Sequence, residues 1–256
     1  MLPVSEATRR RIKVSLSKRV IFAGQGYNTK NFFHRDSVAV FPELKLSFNR
    51  IKKSGNSSIC LYFAKLCGYG DFDTPEDLKD RLLRPGLMSL PQLVELRSYH
   101  SLVVVRDPFE RALSAFLDKV GGGVVPRFAG YAGYGQANPD GFLHFLRQVA
   151  ENREDLNRHF WPQTRLMYKP VKSFSLVARL ENLPEELPPF IRKISGIQVD
   201  GESFKSPHPV ERRQKNKITA AKEKLNMFYG PATVDLVRRI YQDDFAQLGY
   251  SNDLTG

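Results

Sequence analysis

Cysteine is scarce: Cys60 and Cys67 are the only two among 256 residues. On one helix that spacing would put them near one face, about two turns apart and too far for a bridge. They read as reduced core residues, which fits a reducing compartment and excludes a disulfide framework. Long apolar runs are missing too, since no stretch reaches the roughly 18 apolar residues that a membrane span needs. Arg9, Arg10 and Arg11 are followed only by the short apolar run 20–23, too brief for the core of a signal peptide. A soluble, cytoplasmic chain is expected, unless an N-terminal anchor has been removed. Acidic residues are in deficit, with 27 Asp+Glu against 39 Lys+Arg and a net charge of +12. That balance favours an anionic partner: nucleic acid, anionic polysaccharide, phosphorylated nucleotide or acidic membrane. The basic residues are scattered apart from 9–11 and 212–217, so charge alone does not choose. No nucleic-acid-binding motif occurs, so nucleic acid is not expected to be the partner.

What the chain has is enough apolar material, 41%, for a sizeable core without covalent staples. Repeats and low-complexity tracts are absent, and residues 1–17 read as a basic arm. Strands are predicted over 20–23, 44–48, 101–105 and 174–178. The run Leu102-Val103-Val104-Val105 is continuous, as in a strand buried on both faces. Helices are predicted over 59–66, 75–83, 89–99, 108–120, 139–152, 184–194, 219–228 and 232–248, several opened by an N-cap and proline. Segment 121–135, rich in Gly with Phe128, Tyr131 and Tyr134, reads as a long surface loop suited to lining an acceptor groove. Segment 205–217 reads as a basic loop that closes over an anion. Strands alternating with helices predict an α/β fold in three layers, α/β/α, around a central mostly parallel sheet. No linker divides the chain, so one domain over 1–256 is expected.

Two strand-to-helix turns carry the chemistry. In the first, Lys52-Lys53-Ser54-Gly55-Asn56-Ser57-Ser58 joins a strand to a helix start. Small residues let backbone N–H groups converge, the helix N-terminus adds positive potential, and lysine and hydroxyls complete an anion cradle. The glycine pattern and Gly-Lys-[Ser/Thr] ending of a Walker loop are missing. In the second, a buried strand ends at Arg106, Asp107-Pro108 opens a helix, and Ser114 follows two turns along. An arginine at a strand's carboxyl end can grip phosphate with paired bonds, at the edge where open α/β sheets bind ligands.

Arg106-Asp107-Pro108-Phe109-Glu110-Arg111-Ala112-Leu113-Ser114-Ala115-Phe116 resembles the second nucleotide motif of the PAPS-dependent sulfotransferases. Here PAPS is 3′-phosphoadenosine 5′-phosphosulfate. The resemblance is to the Golgi-type carbohydrate enzymes and their bacterial relatives, which adds a bacterial origin to the expectations. Lys53-Ser54-Gly55-Asn56-Ser57-Ser58 is similar to the family's first motif, with Lys52 in place of a usual proline. Arg158-His159-Phe160-Trp161-Pro162-Gln163 and the C-terminal 241–250 resemble two further family segments. The resemblance implies a P-loop NTPase-like sulfotransferase fold and sulfuryl transfer from PAPS, without metal, to a carbohydrate or glycolipid hydroxyl. It places the 3′-phosphate on Arg106 and Ser114, and the 5′-phosphosulfate on Lys53, Ser54, Gly55, Asn56, Ser57 and Ser58. Lys53 would neutralise the leaving oxygen. Apart from the resemblance, the charge run around Arg212 reads as a loop that covers the nucleotide or an anionic acceptor. Arg111 is assigned either an ion pair or a place near the site.

The acceptor's proton needs a base. His159 ranks first of the five histidines, against a purely structural role beside Pro162; a carboxylate such as Glu95 stays open. His100 falls at the wrong edge of the sheet. Two other readings remain: a P-loop nucleotide kinase, and a non-catalytic polyanion-binding module on the same fold.

Overall fold

A computed structural model describes residues 14–16, 22, 26–70, 72, 74–152, 156–205 and 220–254. Four strands form one sheet in chain order: β1 (Val38–Phe41), β2 (Leu46–Asn49), β3 (His100–Val105) and β4 (Leu176–Arg179). β1 pairs antiparallel with β2, Val38 opposite Asn49, while β2, β3 and β4 run parallel. Parallel neighbours need crossovers. The first carries α1 (Asn56–Leu66), α2 (Pro75–Arg81) and α3 (Leu90–Glu95). The second carries α4 (Pro108–Phe116) and α5 (Pro139–Glu151). After β4 come α6 (Leu183–Ser195), α7 (Pro231–Ile240) and α8 (Gln242–Leu248).

Alternation along the strands makes the layers. Ala39, Phe41, Leu46, Phe48, Leu102 and Val104 pack with α1, α2 and α6 on one face. Val38 and Val40 pack against Phe32 and Tyr168 on the other, and Val103 and Val105 against Leu166, Met167 and Leu248. The fold is thus α/β in three layers with a mostly parallel sheet. A further cluster of Phe109, Phe116, Phe142, Phe145 and Phe160 joins α4, α5, α7 and α8 beside the sheet.

Local signals set most boundaries. Thr74 Oγ1 caps α2 by accepting from Asp77 N, and Ser89 with Gln92 makes a capping box on α3. Several expectations need correction. β1 has no counterpart among the predicted strands. The strand expected over 20–23 lies outside the described residues except Phe22, which sits in a bend. The helix expected over 89–99 ends at Glu95 and tightens into a 3₁₀ turn, Leu96–Ser98. The helix expected over 232–248 breaks at Tyr241. Segment 121–135 is anchored rather than a plain surface loop: Phe128 is fully buried and Tyr131 and Tyr134 pack on the core.

Candidate active site

The carboxyl ends of β2, β3 and β4 lie at one edge of the sheet, and each continues into a turn facing the same cavity of about 990 Å³. In the first turn Lys53 and Gly55 both have left-handed backbone, φ 67° and 68°. Gly55 suits its position doubly, because a Cβ there would also meet Leu180 Cδ1 at 2.8 Å. Gly55 caps α1 with no side-chain bond. The first N–H groups of that helix are thus not taken by a capping side chain. Ser57, Ser58 and Asn56 line the cavity with Lys53, and Asn56 Oδ1 accepts from Arg50 Nε at 3.1 Å. The Ser54 hydroxyl points elsewhere: buried, it donates to Gln163 Oε1 at 3.0 Å.

The second turn starts at Arg106, whose Nε and Nη2 lie 3.1 and 2.8 Å from Glu110 Oε2. That pair aims the guanidinium while leaving other N–H groups for a ligand. Asp107 caps α4 by accepting from Glu110 N at 3.0 Å. Ser114, inside α4 and buried, still reaches the cavity wall.

One buried side chain joins the two turns. Gln163 Oε1 accepts from Ser54 Oγ and from Arg106 N at 2.9 Å, while Gln163 Nε2 donates to Arg106 O at 2.8 Å. Asp244 holds this residue in turn, accepting from Gln163 N at 2.7 Å and from Thr164 N and Oγ1. Arg111, also buried, donates to Lys52 O at 3.0 Å and reaches His159 O at 3.5 Å. It therefore braces carbonyls of the site's turns.

His159 lines the cavity with its Nδ1 2.7 Å from Asn157 Oδ1. An amide oxygen only accepts, so Nδ1 carries the proton and Nε2 keeps its lone pair. Burial, then Lys119, Lys52, Arg127 and Lys53, pushes its pKa down to about 3. Burial likewise pulls the Lys53 ammonium below the ordinary lysine range, with Asp118 working against it. Other proposed residues fall outside. Glu95 lies with Val94, Arg97 and Ser98 in a separate shallow depression. His100 starts β3, at the opposite edge from the turns, edge-on to Phe190. Arg212 and most of 205–217 lie outside the described residues.

The structure adds groups that sequence reasoning did not single out. α4 passes into a π-helical turn, Leu117–Gly121, and both Asp118 and Lys119 of that turn line the cavity. Such turns recur at functional sites. Spacing offered one signal, since Asp118 follows Ser114 by one helical turn. Arg127 joins them from the anchored segment after α4, and His34 and Glu181 are also among the lining residues. No sequence pattern marked those three.

A cation-rich cleft thus lies over the carboxyl edge of a mostly parallel sheet, between the Lys53–Ser58 turn and the Arg106 turn, in a three-layer α/β fold. The chain belongs to the sulfotransferase family, whose profile matches residues 36–251, and sulfuryl transfer is the activity that membership supports. Comparison with curated proteins and with solved structures gives no significant match. Among the described residues no helix is long and apolar enough to cross a membrane.

Proposed function

We propose that the protein transfers a sulfuryl group from PAPS to a hydroxyl of a carbohydrate or glycolipid acceptor. The observation that carries this reading is the Gln163 brace, which sets Lys53, Ser57 and Ser58 of one turn and Arg106 and Ser114 of the other around one cavity. A donor with phosphate at one end and phosphosulfate at the other suits two cation-bearing turns facing one space. About 1,000 Å³ is the upper range of ligand pockets and leaves room for an acceptor.

The residues divide the work. Arg106 and Ser114 would hold the 3′-phosphate; Ser57, Ser58 and the α1 N-terminus would hold the 5′-phosphate. The acceptor oxygen forms a bond to sulfur as the bond from sulfur to the bridging phosphate oxygen breaks. The electron pair stays on that oxygen, where Lys53 meets the developing charge. His159 Nε2 takes the acceptor's proton. Burial is the main cause of the low His159 pKa; anions in the cavity would offset the four cations that add to it, raising its basicity.

Calorimetry with adenosine 3′,5′-bisphosphate and with ATP tests the site: the bisphosphate is expected to bind with micromolar affinity, and ATP at least tenfold more weakly. Preference for ATP would instead favour the nucleotide kinase. A screen of sugar and glycolipid acceptors with labelled PAPS tests the transfer. Absence of labelled product with every acceptor, alongside undiminished polyanion binding, would favour the non-catalytic module.

A further inference from the structure

Asp118 Oδ2 lies 3.3 Å from Lys53 Nζ and 2.8 Å from Lys119 Nζ. All three side chains are mostly buried, with 13, 15 and 18% exposure for Asp118, Lys53 and Lys119. Successive residues on an α-helix point about 100° apart. In the π-helical turn both Asp118 and Lys119 nevertheless line one cavity. Lys53 arrives from the other side on a left-handed backbone.

We propose that Asp118 is a positioning residue for sulfuryl transfer: its carboxylate aims the Lys53 ammonium into the cavity and holds it where the leaving phosphate's charge develops. The role rests on the reading of Lys53 as the leaving-group cation. A neutral amine would give that oxygen no charge stabilisation, so Lys53 must stay protonated in a poorly solvated place. Lys119 on the π-turn and Arg106, itself paired to Glu110, repel the ammonium, and His159 across the cavity stays neutral. Asp118 is the acid that counters burial and these cations. It is poorly suited to be the base itself. Burial would raise its carboxyl, but Lys53 and Lys119 more than offset that and hold it below the usual range.

The test follows the Lys53 amine directly, by competitive acetylation with acetic anhydride across pH 7–11 read out by mass spectrometry on the full chain. Asp118→Asn is expected to lower the Lys53 midpoint by about one pH unit or more. Release of adenosine 3′,5′-bisphosphate from PAPS should slow at least tenfold at pH 8–9, with its alkaline limb moved down. The bisphosphate itself should bind at least as tightly, because an anion has left the site. Asp118→Glu should restore the midpoint. If Asp118→Asn does not fold, Asp118→Ser puts the same question. An unchanged Lys53 midpoint would overturn the role, as would loss of the acidic limb of PAPS cleavage, which would make Asp118 the proton acceptor. Failure of the wild-type chain to bind the bisphosphate would instead sink the reading of the cavity, whatever the Lys53 midpoint does.

Discussion

The Ser54 hydroxyl donates to Gln163 Oε1 at 3.0 Å, across 109 positions of sequence, and the same oxygen takes the Arg106 N–H. One amide thus holds the two cavity-facing turns in register. On the proposed reading the phosphates of one donor would meet both turns, so that register would set the span the site can grip.

Gln163→Ala would leave Ser54 Oγ and both Arg106 backbone groups without their buried partner. Unsatisfied buried polar groups cost roughly 1–3 kcal/mol each, with partial relief from water. We expect a stability loss of about 2–4 kcal/mol in urea unfolding. Affinity for adenosine 3′,5′-bisphosphate should drop at least tenfold. Gln163→Glu should not rescue it, since a carboxylate cannot donate to Arg106 O.

Lys53 separates stability from activity. Its φ of 67° is strained for a residue with a Cβ. Lys53→Gly should therefore be more stable than Lys53→Ala by about 1 kcal/mol in thermal or urea unfolding, since both lose the Asp118 pair alike. Both should lose transfer by about a hundredfold or more, while bisphosphate binding weakens far less.

His159, held down to about 3 chiefly by burial, stays neutral in the folded chain across the working range. The unfolded residue protonates near pH 6.5. The unfolded chain therefore binds more protons below that pH, and stability falls as pH drops from about 6.5 toward 3. His159→Gln should flatten that decline in a pH series of unfolding curves. It should also cut transfer by about 10²–10⁴-fold with bisphosphate affinity kept. Imidazole NMR should show the His159 titration moving upward when the bisphosphate is added.

Asp107 has its carboxyl raised to about 6, first by burial and further by Glu110 and Glu181, against hydrogen bonds from the α4 N-terminus. Folded Asp107 takes its proton at higher pH than the unfolded residue. Stability from this group thus grows as pH falls from about 6 toward 4, and ionisation above 6 subtracts from it. Asn caps a helix as well as Asp. Asp107→Asn should raise stability at pH 7 by about 1–2 kcal/mol and remove that pH slope, measured by thermal unfolding.

Sequence alone determined the features that depend on neighbours in the chain. The buried run ending at Val105, the Asp107-Pro108 cap, and the Lys53–Ser58 turn into a helix are local, because sterics, capping and helix ends act over a few residues. The β1 strand stayed hidden for the opposite reason. Val38–Phe41 is buried on both faces, so its sequence shows no apolar–polar alternation, and it is a strand through antiparallel pairing with β2 and a bridge from Val40 to Leu83. The π-turn gave no pattern either, since its hydrogen bonds shift by one residue with no change in composition. Tertiary structure alone decided which turns share a cavity, that Ser54 faces Gln163, and that Asp118 meets Lys53. Those contacts depend on how helices from distant parts of the chain pack on one sheet edge, and the packing is set by the whole core.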